Sequence, residues 1–107
     1  MENKTYNIVY LETFRKQLRS ILRYVSKKLK EPEAANRLYI CIREKIQERK
    51  DIPENFKPLK IIKYKNGKTI KIYNINVKNF VIIYSVNKKD IIIKRIFYNK
   101  MNIKELI

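Results

Sequence analysis

Few groups in this chain of 107 residues can move a proton near neutral pH. It has no histidine, one cysteine, and 10 carboxylates against 26 lysines and arginines. Histidine is the side chain whose ordinary pKa lies nearest neutrality, so a histidine-based triad is excluded. A structural zinc site and a disulfide framework are excluded on the same composition, and no cofactor is expected. Any chemistry then falls to tyrosine, lysine and arginine. The best-spaced of these are Lys94, Arg95 and Tyr98 in the run Asp90–Tyr98, and Lys71 and Tyr73 in the run Lys68–Asn76. In a straight strand, Lys94 and Tyr98 share one face with Ile92 and Ile96, while Arg95 points to the other with Ile93 and Phe97. Arg95 joins the first pair only through a bulge or a strand end. Lys71 and Tyr73 alternate together and can line the same face. A phosphate between Lys94 and Lys71, with Tyr98 as acid or base once neighbouring cations lower its pKa from about 10, would make a metal-independent endoribonuclease site.

Each of these residues also has a structural reading. Tyr98 and Tyr84 suit sheet aromatics with a hydroxyl reaching solvent. Lys94 and Lys71 suit strand lysines whose stems lie along apolar surface, and Arg95 suits an ion-pairing residue. Cys41 reads as a small core or boundary hydrophobe. Glu44 and Glu48 share a helix face with Lys45 and Arg49 interleaved, and read as surface charges.

The elements that must position these groups are legible from the apolar spacing. Tyr6–Leu11 reads as an opening strand. Thr13 can cap a helix whose stripe is Phe14, Leu18, Ile21, Leu22, Val25 and Leu29, with basic residues around the rest of the circumference. Pro32, flanked by Glu31 and Glu33, starts a second helix that runs to about Lys50 and buries Ala35, Leu38, Ile42 and Ile46. So short a link makes the two an antiparallel helix hairpin. Beyond Pro53 and Pro58 the pattern turns to strands. Asn66-Gly67 predicts a two-residue hairpin turn between Lys60–Lys65 and Lys68–Asn76. Phe80–Val86 and Asp90–Tyr98, joined by an Asn-Lys-Lys turn, are apolar on both faces, as strands covered on both sides should be. Ile103, Leu106 and Ile107 suggest a last helical turn. The expected architecture is α+β in a single domain over residues 1–107: a strand, a helix hairpin, then an antiparallel meander packed on the helices.

The formal net charge is +16. Residues 1–50 hold 13 basic and 6 acidic side chains, and residues 51–107 hold 13 and 4, so the excess is spread over the fold. A surface this cationic attracts nucleic acid, ribosomes, anionic lipid or an acidic protein. No stretch approaches the roughly 18 apolar residues of a membrane span, and the N-terminus has no apolar signal region. The expectation is a cytoplasmic protein with no membrane partner.

Several segments, in order, resemble the RelE/ParE superfamily of toxins from type II toxin–antitoxin modules. They are Tyr6–Tyr10, the basic helix ending near Tyr24-Val25, Glu33-Ala34-Ala35-Asn36, Val77–Tyr84 and Ile93–Tyr98. The resemblance implies a growth-arresting toxin silenced by a cognate antitoxin with an acidic amphipathic segment. It also implies one of two targets: DNA gyrase, poisoned by ParE-like members, or the ribosome, where RelE-like members cut mRNA. Many ParE-like sequences carry a histidine and two arginines after the last strand. The corresponding positions here are Tyr98, Lys100 and Met101, which leaves Lys100 as a substrate contact and no histidine. Gyrase poisoning is therefore the expected activity, with ribosome-dependent mRNA cleavage as the alternative. A non-toxic, basic RNA- or ribosome-binding module is the reading from outside the family.

Overall fold

In the computed structural model, which describes residues 5–99, the opening run forms strand β1 (Asn7–Tyr10) and passes without a loop into helix α1 (Glu12–Arg23). Leu11 is extended (φ −72°, ψ 151°), and its N–H donates to the Ile93 carbonyl at 3.0 Å, so it ends the strand and begins the helix at once. Thr13, expected as the cap, lies inside the first turn because strand pairing sets the entry two residues earlier, at Leu11. Phe14 is buried, and Leu18, Ile21, Leu22 and Val25 are half-buried against the core. The helix then widens into a π-helical turn over Tyr24–Lys28, where the Leu29 N–H bonds the Tyr24 carbonyl at 3.1 Å. The wider turn rotates the succeeding residue out of the apolar stripe. Leu29, expected on that stripe, is 49% exposed.

Lys30 reverses the chain at a φ of 55°, and Pro32 opens helix α2 (Pro32–Glu48). Proline suits this first position because its missing N–H would have no helical partner. Ala35, Leu38, Ile42 and Ile46 are buried along α2, as their spacing requires.

The remaining strands are β2 (Lys60–Lys63), β3 (Thr69–Val77), β4 (Phe80–Asn87) and β5 (Asp90–Tyr98). The sheet order is β1-β5-β4-β3-β2, with β1 parallel to β5 and every other pair antiparallel. The β2–β3 turn holds three residues where the sequence suggested two. Tyr64 N–H bonds the Lys68 carbonyl at 2.8 Å and Gly67 N–H bonds the Tyr64 carbonyl at 3.0 Å, with Gly67 at φ 86°. Glycine takes that left-handed position without steric penalty. The other two hairpins turn on Lys78-Asn79 and Lys88-Lys89.

One face of the sheet packs on both helices. The other gathers Ile72, Val81, Ile83 and Phe97 with Leu59, Ile62 and Ile70. The segment between α2 and β2 is fastened to the first face by Tyr84, whose hydroxyl donates to the Pro53 carbonyl at 2.7 Å and accepts from the Arg49 guanidinium at 2.8 Å. Arg49 also stacks on Phe56, 3.5 Å from the ring centroid. Among the described residues no helix is long and apolar enough to cross a membrane. Lys100 and the turn expected at Ile103–Ile107 lie outside the described residues.

Candidate functional site

Strand β5 does not run straight. Asp90–Ile93 pair with Asn87–Tyr84, and Arg95–Tyr98 pair with Ile83–Phe80, which leaves Lys94 as an inserted residue without a partner. This β-bulge moves every later side chain to the opposite face from the one alternation assigns. Ile93 and Ile96 both join the helix-side core, and Tyr98 meets Phe80 edge-on at 5.8 Å between centroids. Arg95, opposite Ile83, lies on the far face with Phe97. The expected grouping of Ile92 with Ile96, and of Arg95 with Ile93, is thus corrected. The cause lies at the sheet edge. β1 ends opposite Ile93 where the chain leaves for α1, and beyond it the Ile96 N–H is met by the Gln17 side-chain oxygen of α1 at 3.0 Å. Nothing about Gln17 in the sequence marks it for that task.

The expected phosphate site disperses accordingly. Tyr73 is 1% exposed, stacked on Tyr84 at 5.2 Å, and closed to a substrate. Burial raises the pKa of its hydroxyl first, and the nearby Glu54 carboxylate adds to the rise. Burial also raises Tyr84, against the opposing pull of Arg49. Tyr84 is thus a sheet aromatic, as its structural reading had it, but its hydroxyl does not reach solvent: the residue is fully buried and bonds Pro53 and Arg49 instead. Lys71 adjoins the Ile72–Ser85 pair, whereas Tyr98 pairs with Phe80. The five β4 residues separating Phe80 from Ser85 span roughly 17 Å at about 3.3 Å each. Lys71 and Tyr98 do not meet on one phosphate, and Lys94 sits half-buried at mid-strand. Of the expected groupings the fold keeps Arg95 on one face with Phe97, and Lys71 on one face with Tyr73; the contact of Tyr98 with Phe80 is new.

A different feature emerges between the helices. Tyr10, Phe14, Leu18 and Leu22 form one wall, and Tyr39, Ile42 and Ile46 the other, of a groove of about 480 Å³. Its rim carries Arg15, Arg19 and Arg43. Arg15 lies 5.5 Å from the Tyr10 ring centroid and Arg43 5.8 Å from that of Tyr39. Such placement holds the cations over aromatic faces; Arg15 donates its Nε–H to the Tyr10 carbonyl at 3.5 Å, and its terminal N–H groups point to no partner among the described residues. Burial raises the Tyr10 hydroxyl pKa, with Arg43 and then Arg15 among the opposing influences. The groove continues past Arg19 and Leu22 toward Arg23 and Lys27, with Tyr39 still forming its wall. Arg19 faces Glu12 at 3.9 Å, with both side chains largely exposed, so that pair neutralises little. An apolar floor edged by guanidinium groups fits an amphipathic segment with carboxylates along its flanks. The sequence held a signal for it: Arg15 and Arg19 repeat four apart, each three residues before Leu18 and Leu22. That pattern marks an apolar strip bordered by cations.

Among the described residues no three His, Cys, Asp or Glu side chains cluster for a metal, and Cys41 is a free, half-buried thiol.

The model of a protein family, the ParE toxin of type II toxin–antitoxin system parDE, matches residues 8–103. Among solved structures, the fold is similar to the chromosomal ParDE system from P. aeruginosa, at a TM-score of 0.67 and 16% identity, covering 89% of this chain and 97% of that one. It is also similar to the archaeal RelE–RelB complex from Pyrococcus horikoshii OT3, at a TM-score of 0.52 and 21% identity, covering 90% of this chain and 97% of that one. At these identities the likeness is one of fold. No curated protein matches the sequence.

Proposed function

The chain belongs to the ParE toxin family of type II toxin–antitoxin systems, and from that premise we propose that it arrests growth by binding and poisoning DNA gyrase. We further propose that an acidic, amphipathic segment of a cognate antitoxin silences it from the groove between α1 and α2. The observation that carries the gyrase reading is the dispersal of the candidate groups over the sheet. Arg95 and Tyr98 follow the Lys94 bulge in regular alternation and so keep to opposite faces, while Lys71 stands at the far end from Tyr98. Acid–base cleavage of RNA needs its proton carriers and cations within hydrogen-bond reach of one phosphate. A chain that disperses them is suited to act through surface complementarity. The antitoxin reading is supported by the apolar, arginine-rimmed groove and by the two neighbours, a ParDE system and a RelE–RelB complex.

One purified preparation, freed of antitoxin, tests the target. Gyrase supercoiling should fail, with cleaved DNA accumulating, at concentrations that leave cell-free translation intact. Cut mRNA and arrested translation with supercoiling unaffected would replace the gyrase reading with the endonuclease one.

A further inference from the structure

Between Glu54 and Asp90 the chain carries nine lysines and no carboxylate. The fold brings most of them to one end of the sheet. β2 reaches its turn at Lys63, the turn carries Lys65 and leads into Lys68, and Lys71 follows early in β3. β2 and β4 both run antiparallel to β3, so the β4–β5 turn, Lys88-Lys89, opens at the same end. All six lysines are exposed. The one ion pair among the described residues, Arg19–Glu12, is on α1. Lys88 holds a φ of 57°, a backbone that glycine or asparagine adopts more readily, yet the turn keeps a cation at its tip. Tyr64, 49% exposed, stands among them.

The two cationic surfaces of this molecule differ in kind. The helix groove has an apolar floor and an arginine rim, and arginine forks match carboxylates. The sheet end has six lysines, which are point charges on flexible stems, with Ile61 and Tyr64 as the exposed large apolar side chains of β2 and its turn and, among the described residues, no apolar groove there. Four strands spaced about 4.8 Å apart spread these charges over roughly 14 Å. Duplex DNA presents about one phosphate charge per 1.7 Å of its axis, a density that suits such a row. We propose that this end of the sheet docks on the phosphodiester backbone of duplex DNA, without sequence preference, while the α1–α2 groove stays free. The docking depends neither on the groove's occupant nor on which target the toxin poisons.

Fluorescence anisotropy of the full chain with a 20-bp duplex of arbitrary sequence, at about 50 and 150 mM salt, tests it. One variant replaces Lys63, Lys65, Lys68, Lys88 and Lys89 by Gln. A control of equal net charge replaces Lys16, Lys27, Lys28, Lys30 and Lys45 by Gln, all exposed and all on or beside the helices. The sheet-end variant should bind at least about tenfold more weakly than the control, and its slope of log affinity against log salt should flatten by up to about 4, near 0.9 per lost phosphate contact. Thermal melts of both keep folding separate from binding. If the five-site variant melts early, Lys88→Gln with Lys89→Gln alone should still bind more weakly than Lys27→Gln with Lys28→Gln. Equal losses in variant and control would overturn the proposal in favour of diffuse attraction. Unchanged DNA binding with weakened antitoxin binding would overturn it in favour of an acidic protein partner.

Discussion

Helices α1 and α2 pack on the same face of the same sheet, and both carry an apolar stripe at helical spacing, yet they meet the core differently. α2 buries four residues, Ala35, Leu38, Ile42 and Ile46, and runs regularly to Glu48. α1 buries only Phe14, leaves Leu18 and Leu22 half-covered in the groove, and ends in a π-helical turn. The contrast suggests a division of labour. The helix that commits least of its stripe to the core keeps apolar surface for a partner, and such segments belong to the less stable part of a fold. α2 holds the scaffold, and α1 presents the binding wall.

The strongest test of that contrast compares two truncations. Ile42→Ala, at a site 1% exposed, should cost about 2–5 kcal/mol in urea unfolding. Leu22→Ala should cost less, about 1–2 kcal/mol, because its side chain is only partly buried against the core, and it should weaken antitoxin binding at temperatures where the fold is intact. Equal stability losses would break the comparison. Tyr84→Phe probes the fastening beneath α2. It leaves the Pro53 carbonyl without its donor and should cost about 1–3 kcal/mol. Because burial raises the Tyr84 pKa above 10.0, the native state keeps a proton that the unfolded chain releases above that value. The stabilising contribution is therefore complete below pH 10 and lost as pH rises through the folded pKa. The stability gap between the parent chain and Tyr84→Phe should narrow above pH 10, and a constant gap would contradict the burial argument.

Smaller effects should mark the groove rim. Replacing Arg15, Arg19 and Arg43 by Gln should barely move the melting midpoint. It should slow antitoxin association and flatten its salt dependence, since rim charges steer encounter. Stopped-flow mixing at low and physiological salt reads both. The smallest effect is expected at Tyr98→Phe, where the ring is 44% exposed and its contact with Phe80 survives. Stability and toxicity should both be unchanged. A loss of the order of 10²–10⁴ in toxic activity would restore Tyr98 as an acid–base group.

The contrast between the helices was only partly legible in the sequence. α2 could be read outright, because Pro32 sets its start and its apolar residues recur at one packed face. The stripe of α1 looks equally continuous, and nothing in Tyr24–Lys28 signals the wider turn that frees Leu29. Thr13 resembled a cap because the pairing of Leu11 with Ile93, which sets the helix entry, joins residues far apart in the chain. The bulge at Lys94 was hidden for a related reason. Asp90–Tyr98 is apolar on both faces, so slipping by one residue still buries isoleucines on either side. That slip regroups the later side chains of β5, and only the sheet edge and Gln17 reveal it; the expected Lys71–Tyr98 pairing fails for a different reason, the hairpin registers that set the two at opposite ends of β4. The groove was half-visible: its cations were evident on the helix circumference, but its leucines looked like ordinary core.

Amide hydrogen exchange on the chain alone and saturated with its antitoxin tests the division of labour most directly. Antitoxin binding should slow exchange across Phe14–Arg23 of α1 by at least about tenfold, while the buried turns of α2 around Ile42 and Ile46, already the slowest, change little. Protection confined to the β2 edge or to the sheet face around Arg95 and Phe97, with α1 exchanging as before, would contradict the account.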